Sequence, residues 1–107
     1  MNYTNKVVLI TGATSGIGEA CAAAFGAAGA KLVITGRNPQ KLEHCAAQLR
    51  SKNYPVLPIL ADAGSEADNR RMAEETLAHY GQINILVNNA GISMRALFQD
   101  LDLEVFR

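Results

Sequence analysis

Val7-Val8-Leu9-Ile10-Thr11-Gly12-Ala13-Thr14-Ser15-Gly16-Ile17-Gly18 decides the fold of this chain. Four consecutive apolar residues read as a buried strand, and the glycines after them read as a tight turn. A helix opens at about Gly16. Backbone N–H groups at such a turn have no helical acceptor and point outward, so a phosphate can dock there. The spacing is G-x-x-x-G-x-G over Gly12, Gly16 and Gly18. It differs from the common G-x-G-x-x-G dinucleotide fingerprint, although the turn can do the same work. It is not a Walker A loop, because no Gly-Lys-Ser/Thr follows.

Working outward, strand and helix patterns alternate. The first strand covers about Lys6 to Thr11. The first helix runs from near Gly16 to Ala28, stopped by Gly29, with Ile17, Ala20, Cys21, Ala24, Phe25 and Ala28 as its inward stripe. Lys31 to Thr35 is the second strand. Asn38 caps the second helix and Pro39 suits its first position; that helix continues through Leu42, Cys45, Ala46 and Leu49 to about Lys52. Val56 to Ala61 is the third strand, and Pro58 within it predicts a sheet edge. The third helix opens at Ser65, with Asp68 as a variant of the capping box. Its inner face is Met72, Ala73, Thr76, Leu77 and Tyr80. Ile83 to Val87 is the fourth strand.

Unbroken apolar strands need cover on both faces, which only helices above and below a parallel sheet supply. Right-handed crossovers then predict a Rossmann-like three-layer α/β/α sandwich with strand order 3-2-1-4. In that order the fourth strand is an apolar edge. Asp102 reads as a helix cap, with Val105-Phe106-Arg107 as the first turn of that helix. The expectation is therefore one domain over residues 1–107, incomplete at its C-terminus.

The 107 residues are 49% hydrophobic, which suits one globular unit. Ten basic and ten acidic side chains balance, so composition gives no support for a nucleic-acid partner. The apolar runs are too short to span a membrane. Cys21 and Cys45 lack metal or redox spacing and read as free thiols, Cys21 a buried one, in a reducing cytoplasm. His44 adjoins Cys45, but adjacent helical residues do not face one site.

The strand ends carry the candidate ligand groups. No carboxylate lies between Lys31 and Lys41, where an NAD site usually places one for the ribose. Arg37 can pair with a 2′-phosphate instead, which favours NADP over NAD. Asp62, with Ala63, either accepts from an adenine amino group or makes a turn with Gly64. Asn88-Asn89-Ala90-Gly91 is either loop punctuation or a ribose-side contact.

Together, Thr11-Gly12-Ala13-Thr14-Ser15-Gly16-Ile17-Gly18 and Asn88-Asn89-Ala90-Gly91 resemble the T-G-x-x-x-G-I-G and N-N-A-G motifs of the short-chain dehydrogenase/reductase family. The resemblance covers the whole chain but only the front part of a family subunit. It implies that Gly12, Ser15, Gly16, Ile17 and Gly18 line the pyrophosphate and adjoining ribose. Thr14 or Ser15, with Arg37 and Asn38, would surround the 2′-phosphate. Asp62 and Ala63 would address the adenine, Asn89 would support the central strands, and Ala90 and Gly91 would approach the riboses. The implied chemistry is hydride transfer between nicotinamide and a carbonyl or alcohol, in a protein that is a homo-oligomer when complete. The family's catalytic Y-x-x-x-K is absent, since Tyr3, Tyr54 and Tyr80 are followed four residues later by Val7, Pro58 and Asn84. The family serine falls beyond Arg107, so no catalytic residue is assigned, and no metal ligand either. A noncatalytic dinucleotide sensor or scaffold is the alternative on the same fold. A methyltransferase-like domain is disfavoured by the complete N-N-A-G segment.

Overall fold

The computed structural model describes residues 2–89 and 104–106. In chain order the elements are β1 (Val7–Thr11), α1 (Gly16–Ala27), β2 (Lys31–Gly36), α2 (Pro39–Ser51), β3 (Val56–Leu60), α3 (Glu66–Tyr80), β4 (Ile85–Asn88) and β5 (Glu104–Phe106). All pairings are parallel and the order is β3-β2-β1-β4-β5. The expected 3-2-1-4 order stands within it, and Pro58 lies in an edge strand as its missing N–H requires.

Alternate residues of each central strand serve opposite layers. Val8, Ile10, Leu32, Ile34, Ile85 and Val87 join the side of the sheet packed by Ala22, Leu42, Cys45, Ala46 and Leu49 from α1 and α2. Val7, Leu9, Val33, Ile59 and Leu86 pack on Met72, Ala73 and Tyr80 from α3. Fully burying a side chain of this size stabilises by roughly 1.5–3 kcal/mol. Burial on both faces makes the β1–β2–β4 centre the rigid base from which the ligand-side loops leave.

Three expectations need correction. Of the stripe expected on α1, Cys21 and Phe25 pack partly buried against the core, but the buried positions are Gly18, Ala22 and Gly26. Ile17 is 72% exposed, and Ala20 and Ala24 are exposed as well. The reason is close approach. A Cβ on Gly26 would lie 2.4 Å from Tyr54 Cδ2, so only a bare backbone fits over that ring. Cys21 is half-buried rather than core, while Cys45 is buried and His44 exposed.

On α3, Leu77 is exposed and the buried positions are Asn69, Met72 and Thr76. The capping box is also one-sided. Ser65 Oγ accepts from Asp68 N at 3.2 Å, but the Asp68 carboxylate accepts from Asp62 N at 2.8 Å rather than reaching back to Ser65.

The third correction concerns the last residues. Val105 and Phe106, read as a helical turn, belong to strand β5, where Leu86 pairs with Val105 and Val87 with Phe106. The edge expected at β4 is thereby paired. The remainder of that reading, Asp102 and Arg107, lies outside the described residues. No helix among the described residues is long and apolar enough to cross a membrane.

Candidate cofactor site

The C-terminal ends of the parallel strands carry one cleft of about 330 Å³. It is lined by Gly12, Thr14 and Ser15 after β1, by Thr35, Gly36 and Arg37 at the end of β2, by Ala61 to Gly64 after β3, and by Asn89 after β4. This is where open parallel sheets take ligands, between loops that diverge from adjacent strands. The volume lies at the lower end for small-molecule sites.

The first wall is the turn after β1. Gly12 holds φ of +63°, which a side-chain-bearing residue rarely adopts. Ser15 is the N-cap of α1. Its hydroxyl donates to the Gly12 carbonyl at 3.0 Å and accepts from Gly18 N at 3.4 Å and from Asn89 Nδ2 at 2.6 Å. Its one proton and both lone pairs are therefore engaged. The N–H groups of Gly16 and Ile17, in the first turn of α1, have no helical carbonyl four residues back to donate to.

Two glycines in this wall differ sharply. A Cβ on Gly18 would lie 2.4 Å from the Gly12 carbonyl oxygen and 2.7 Å from Ala13 Cα. Gly18 is thus required by packing of α1 on its own turn. A Cβ on Gly16 would meet nothing within 4 Å. Packing of the protein itself does not require that glycine.

The second wall is the end of β2. Ala13 N donates to the Thr35 carbonyl at 3.0 Å and anchors the turn there. Gly36 lies under Thr14, where a Cβ would come 2.9 Å from Thr14 Cγ2. Arg37 follows, exposed and outside the ion pairs found among the described residues. Asn38 does not line the cleft; its Oδ1 caps α2 by accepting from Lys41 N at 3.0 Å.

The third wall is the β3–α3 loop. Asp62 Oδ1 accepts from Gly64 N at 2.8 Å, so Asp62 builds the turn while facing the cleft. Asn69 Nδ2 donates to the Ala63 carbonyl at 2.9 Å from beneath.

The fourth wall is the end of β4. Asn89 Nδ2 donates to the Gly12 carbonyl at 3.0 Å as well as to Ser15. Beside it, Asn88 Oδ1 accepts from Thr11 Oγ1 at 3.3 Å, also between β4 and β1. Asn89, expected to support the central strands, ties the turn after β1 to the end of β4. Ala90 and Gly91 lie outside the described residues.

Of the expected site residues, the cleft collects Gly12, Thr14, Ser15, Arg37, Asp62, Ala63 and Asn89. Gly16, Ile17 and Gly18, in the first turn of α1, are not among its lining residues. Thr35, Gly36, Ala61 and Gly64 also line it and went unassigned in the sequence. Their position one residue from an assigned strand end was the available signal. The Cys45 thiol lies under this floor, 3.8 Å from the Ala13 carbonyl. Burial, with Glu19 nearby, raises its pKa above the ordinary value and keeps it protonated.

A family profile described as short chain dehydrogenase matches residues 6–107. The chain belongs to the short-chain dehydrogenase family. It is 40% identical over 102 residues to 11-beta-hydroxysteroid dehydrogenase 1A of Arabidopsis thaliana, covering 94% of this chain and 29% of that protein. It is 43% identical over 110 residues to dehydrogenase/reductase SDR family member 7B of Mus musculus, covering 96% of this chain and 33% of that protein. The chain therefore spans about a third of the length of the curated relatives it matches. A hydroxysteroid dehydrogenase from Escherichia coli superposes with a TM-score of 0.80 at 31% identity, over 84% of this chain and 37% of that one. An NAD+-bound xylitol dehydrogenase gives a TM-score of 0.81 at 29% identity, over 86% and 35%. The fold is thus that of this family.

Proposed function

We propose that this chain is the cofactor-binding front part of a single Rossmann-fold domain in an NAD(P)-dependent oxidoreductase. The complete protein would prefer NADPH and move hydride between nicotinamide and a carbonyl or alcohol substrate. One observation carries the reading: a single cleft brings together the glycine turn of β1–α1 and Arg37 at the end of β2, with no carboxylate on β2.

The residues divide the cofactor between them. Gly16 and Ile17 offer backbone N–H groups to the pyrophosphate, and the N-terminal end of α1 favours its negative charge. Gly12 and Gly18 let the turn pack tightly enough to present them. Arg37 holds the 2′-phosphate through its fork of donors. Thr14 is the hydroxyl beside it, because that of Ser15 is already engaged. Asp62 and Ala63 face the adenine, Asn38 shapes the phosphate end by capping α2, and Asn89 with Ala90 and Gly91 supports the ribose side. The cofactor supplies the hydride when bound. The chain holds no Y-x-x-x-K to supply a proton, so it is proposed to bind cofactor without turning over substrate by itself.

The cytoplasm is the proposed location, since a buried unpaired thiol suits a reducing compartment. Assembly as a homo-oligomer is proposed for the complete protein by family likeness alone.

Fluorescence titration of the intact protein with NADPH and NADH tests the reading. Tighter NADPH binding is expected, and that preference is lost in Arg37→Glu. Equal affinity for both cofactors, with equal losses in the variant, removes Arg37 from the phosphate role.

A further inference from the structure

The adenine side of the cleft is a short loop, Asp62 to Gly64, between β3 and α3. Its two ends are held differently. At the β3 end, Ala61 N donates to the Gly36 carbonyl at 3.0 Å. At the α3 end, the fastening comes from one helical turn. Asp68 Oδ2 accepts from Asp62 N at 2.8 Å. Asp68 Oδ1 lies 3.6 Å from Arg71 Nη2, which also donates to the Leu60 carbonyl at 2.6 Å. Asn69 Nδ2 holds the Ala63 carbonyl from the buried side.

Asp68 is thus diverted from its helix. In a capping box a Glu or Gln at this place reaches back to the cap's own N–H; here Ser65 N donates to the Asp62 carbonyl at 2.9 Å. Asp68 bridges to Asp62 instead, and Arg71 keeps it turned toward β3. Asp62 is left with its backbone pinned through N–H and its carboxylate pinned through Gly64 N, at the cleft surface.

We infer that Asp68 is a positioning residue for purine recognition, holding Asp62 so that its carboxylate meets the 6-amino group of an adenine and rejects a 6-oxo purine. This rests on the reading of the cleft as a dinucleotide site. The discrimination follows from hydrogen-bond chemistry. A carboxylate accepts from an amino group, while a carbonyl in its place brings two acceptors together and leaves both unpaired. The discrimination survives only where the carboxylate is fixed; a mobile one turns away at little cost.

The test is a binding comparison on the intact protein, using NADPH and its hypoxanthine analogue. The wild type is expected to prefer the adenine form. Asp68→Ala is expected to shrink that preference by about tenfold, the worth of one charge-assisted hydrogen bond. Asp68→Asn keeps an acceptor for Asp62 N and is expected to restore most of it. A merely structural role would weaken both ligands equally and leave their ratio unchanged. An unchanged ratio in Asp68→Ala, or failure of Asp68→Asn to rescue a lost one, overturns the inference and leaves the dinucleotide reading standing. A wild type that binds neither ligand overturns both.

Discussion

The Asn89 side-chain amide donates to the Gly12 carbonyl at 3.0 Å, joining the end of β4 to the turn that follows β1. The two residues are 77 positions apart in the chain and adjacent only because their strands pair. The same amide nitrogen reaches Ser15 Oγ, the cap of α1. The turn is therefore fixed from outside as well as by its own glycines. Asn89→Ala removes one donor from the partly buried Gly12 carbonyl, which keeps Ser15 N and Ser15 Oγ, at a cost of about 0.5–1.5 kcal/mol. Chemical unfolding of the variant measures the loss, and weaker NADPH binding is expected to accompany it.

Gly16 and Gly18 separate ligand space from packing space. Gly18→Ala drives a Cβ into backbone at 2.4 Å and is expected to destabilise by about 1–3 kcal/mol. Gly16→Ala meets only open space and should leave stability within about 1 kcal/mol of wild type. With the phosphate seated on this turn, Gly16→Ala nonetheless weakens NADPH binding. Thermal melts with paired titrations check the contrast. A stable Gly16→Ala variant that binds as tightly as wild type places the phosphate elsewhere.

Gly26 is a packing residue far from the cleft. Gly26→Ala sets a methyl against the Tyr54 ring and is expected to cost about 1–3 kcal/mol. A smaller cost in the Tyr54→Leu background is expected, since that change removes the obstructing ring. A double-mutant cycle gives the coupling. Cofactor affinity should stay unchanged in the folded fraction.

Alkaline pH loosens the floor beneath the turn. Burial raises the Cys45 pKa in the folded state above its ordinary 9.0. The folded state then holds its proton more tightly than the unfolded chain, so stability falls as pH rises past the unfolded value. The Cys45 contribution is complete below about pH 9 and is lost as pH climbs through the raised folded value. Cys45→Ala is expected to flatten this part of the profile. Tyr80, raised by burial, adds a similar slope at higher pH. Urea midpoints between pH 7 and pH 11 measure both.

The strands were legible because the sheet's demand is local. Val7 to Ile10 and Lys31 to Thr35 carry their apolar runs within one element, and Pro58 marks the edge by a missing donor. The phosphate turn was legible for the same reason, since cap, glycines and helix start are contiguous. The packed face of α1 was legible only at Cys21 and Phe25. Nearly every residue there is small or apolar, so no stripe stands out, and glycines that serve close approach read as gaps. Asn84 accepting from Val7 N, Asn69 holding Ala63 and Asn89 holding Gly12 depend on partners distant in the chain or turned by the fold. Strand β5 is three residues long and exists by pairing with β4, so Val105 and Phe106 carried no local sign of it.

A crystal structure of the intact protein with NADPH tests the central claim most directly. The account predicts pyrophosphate oxygens within hydrogen-bond distance of Gly16 N and Ile17 N, and the 2′-phosphate against Arg37. NADPH bound away from this turn, or bound here with Arg37 turned from the 2′-phosphate, would contradict it.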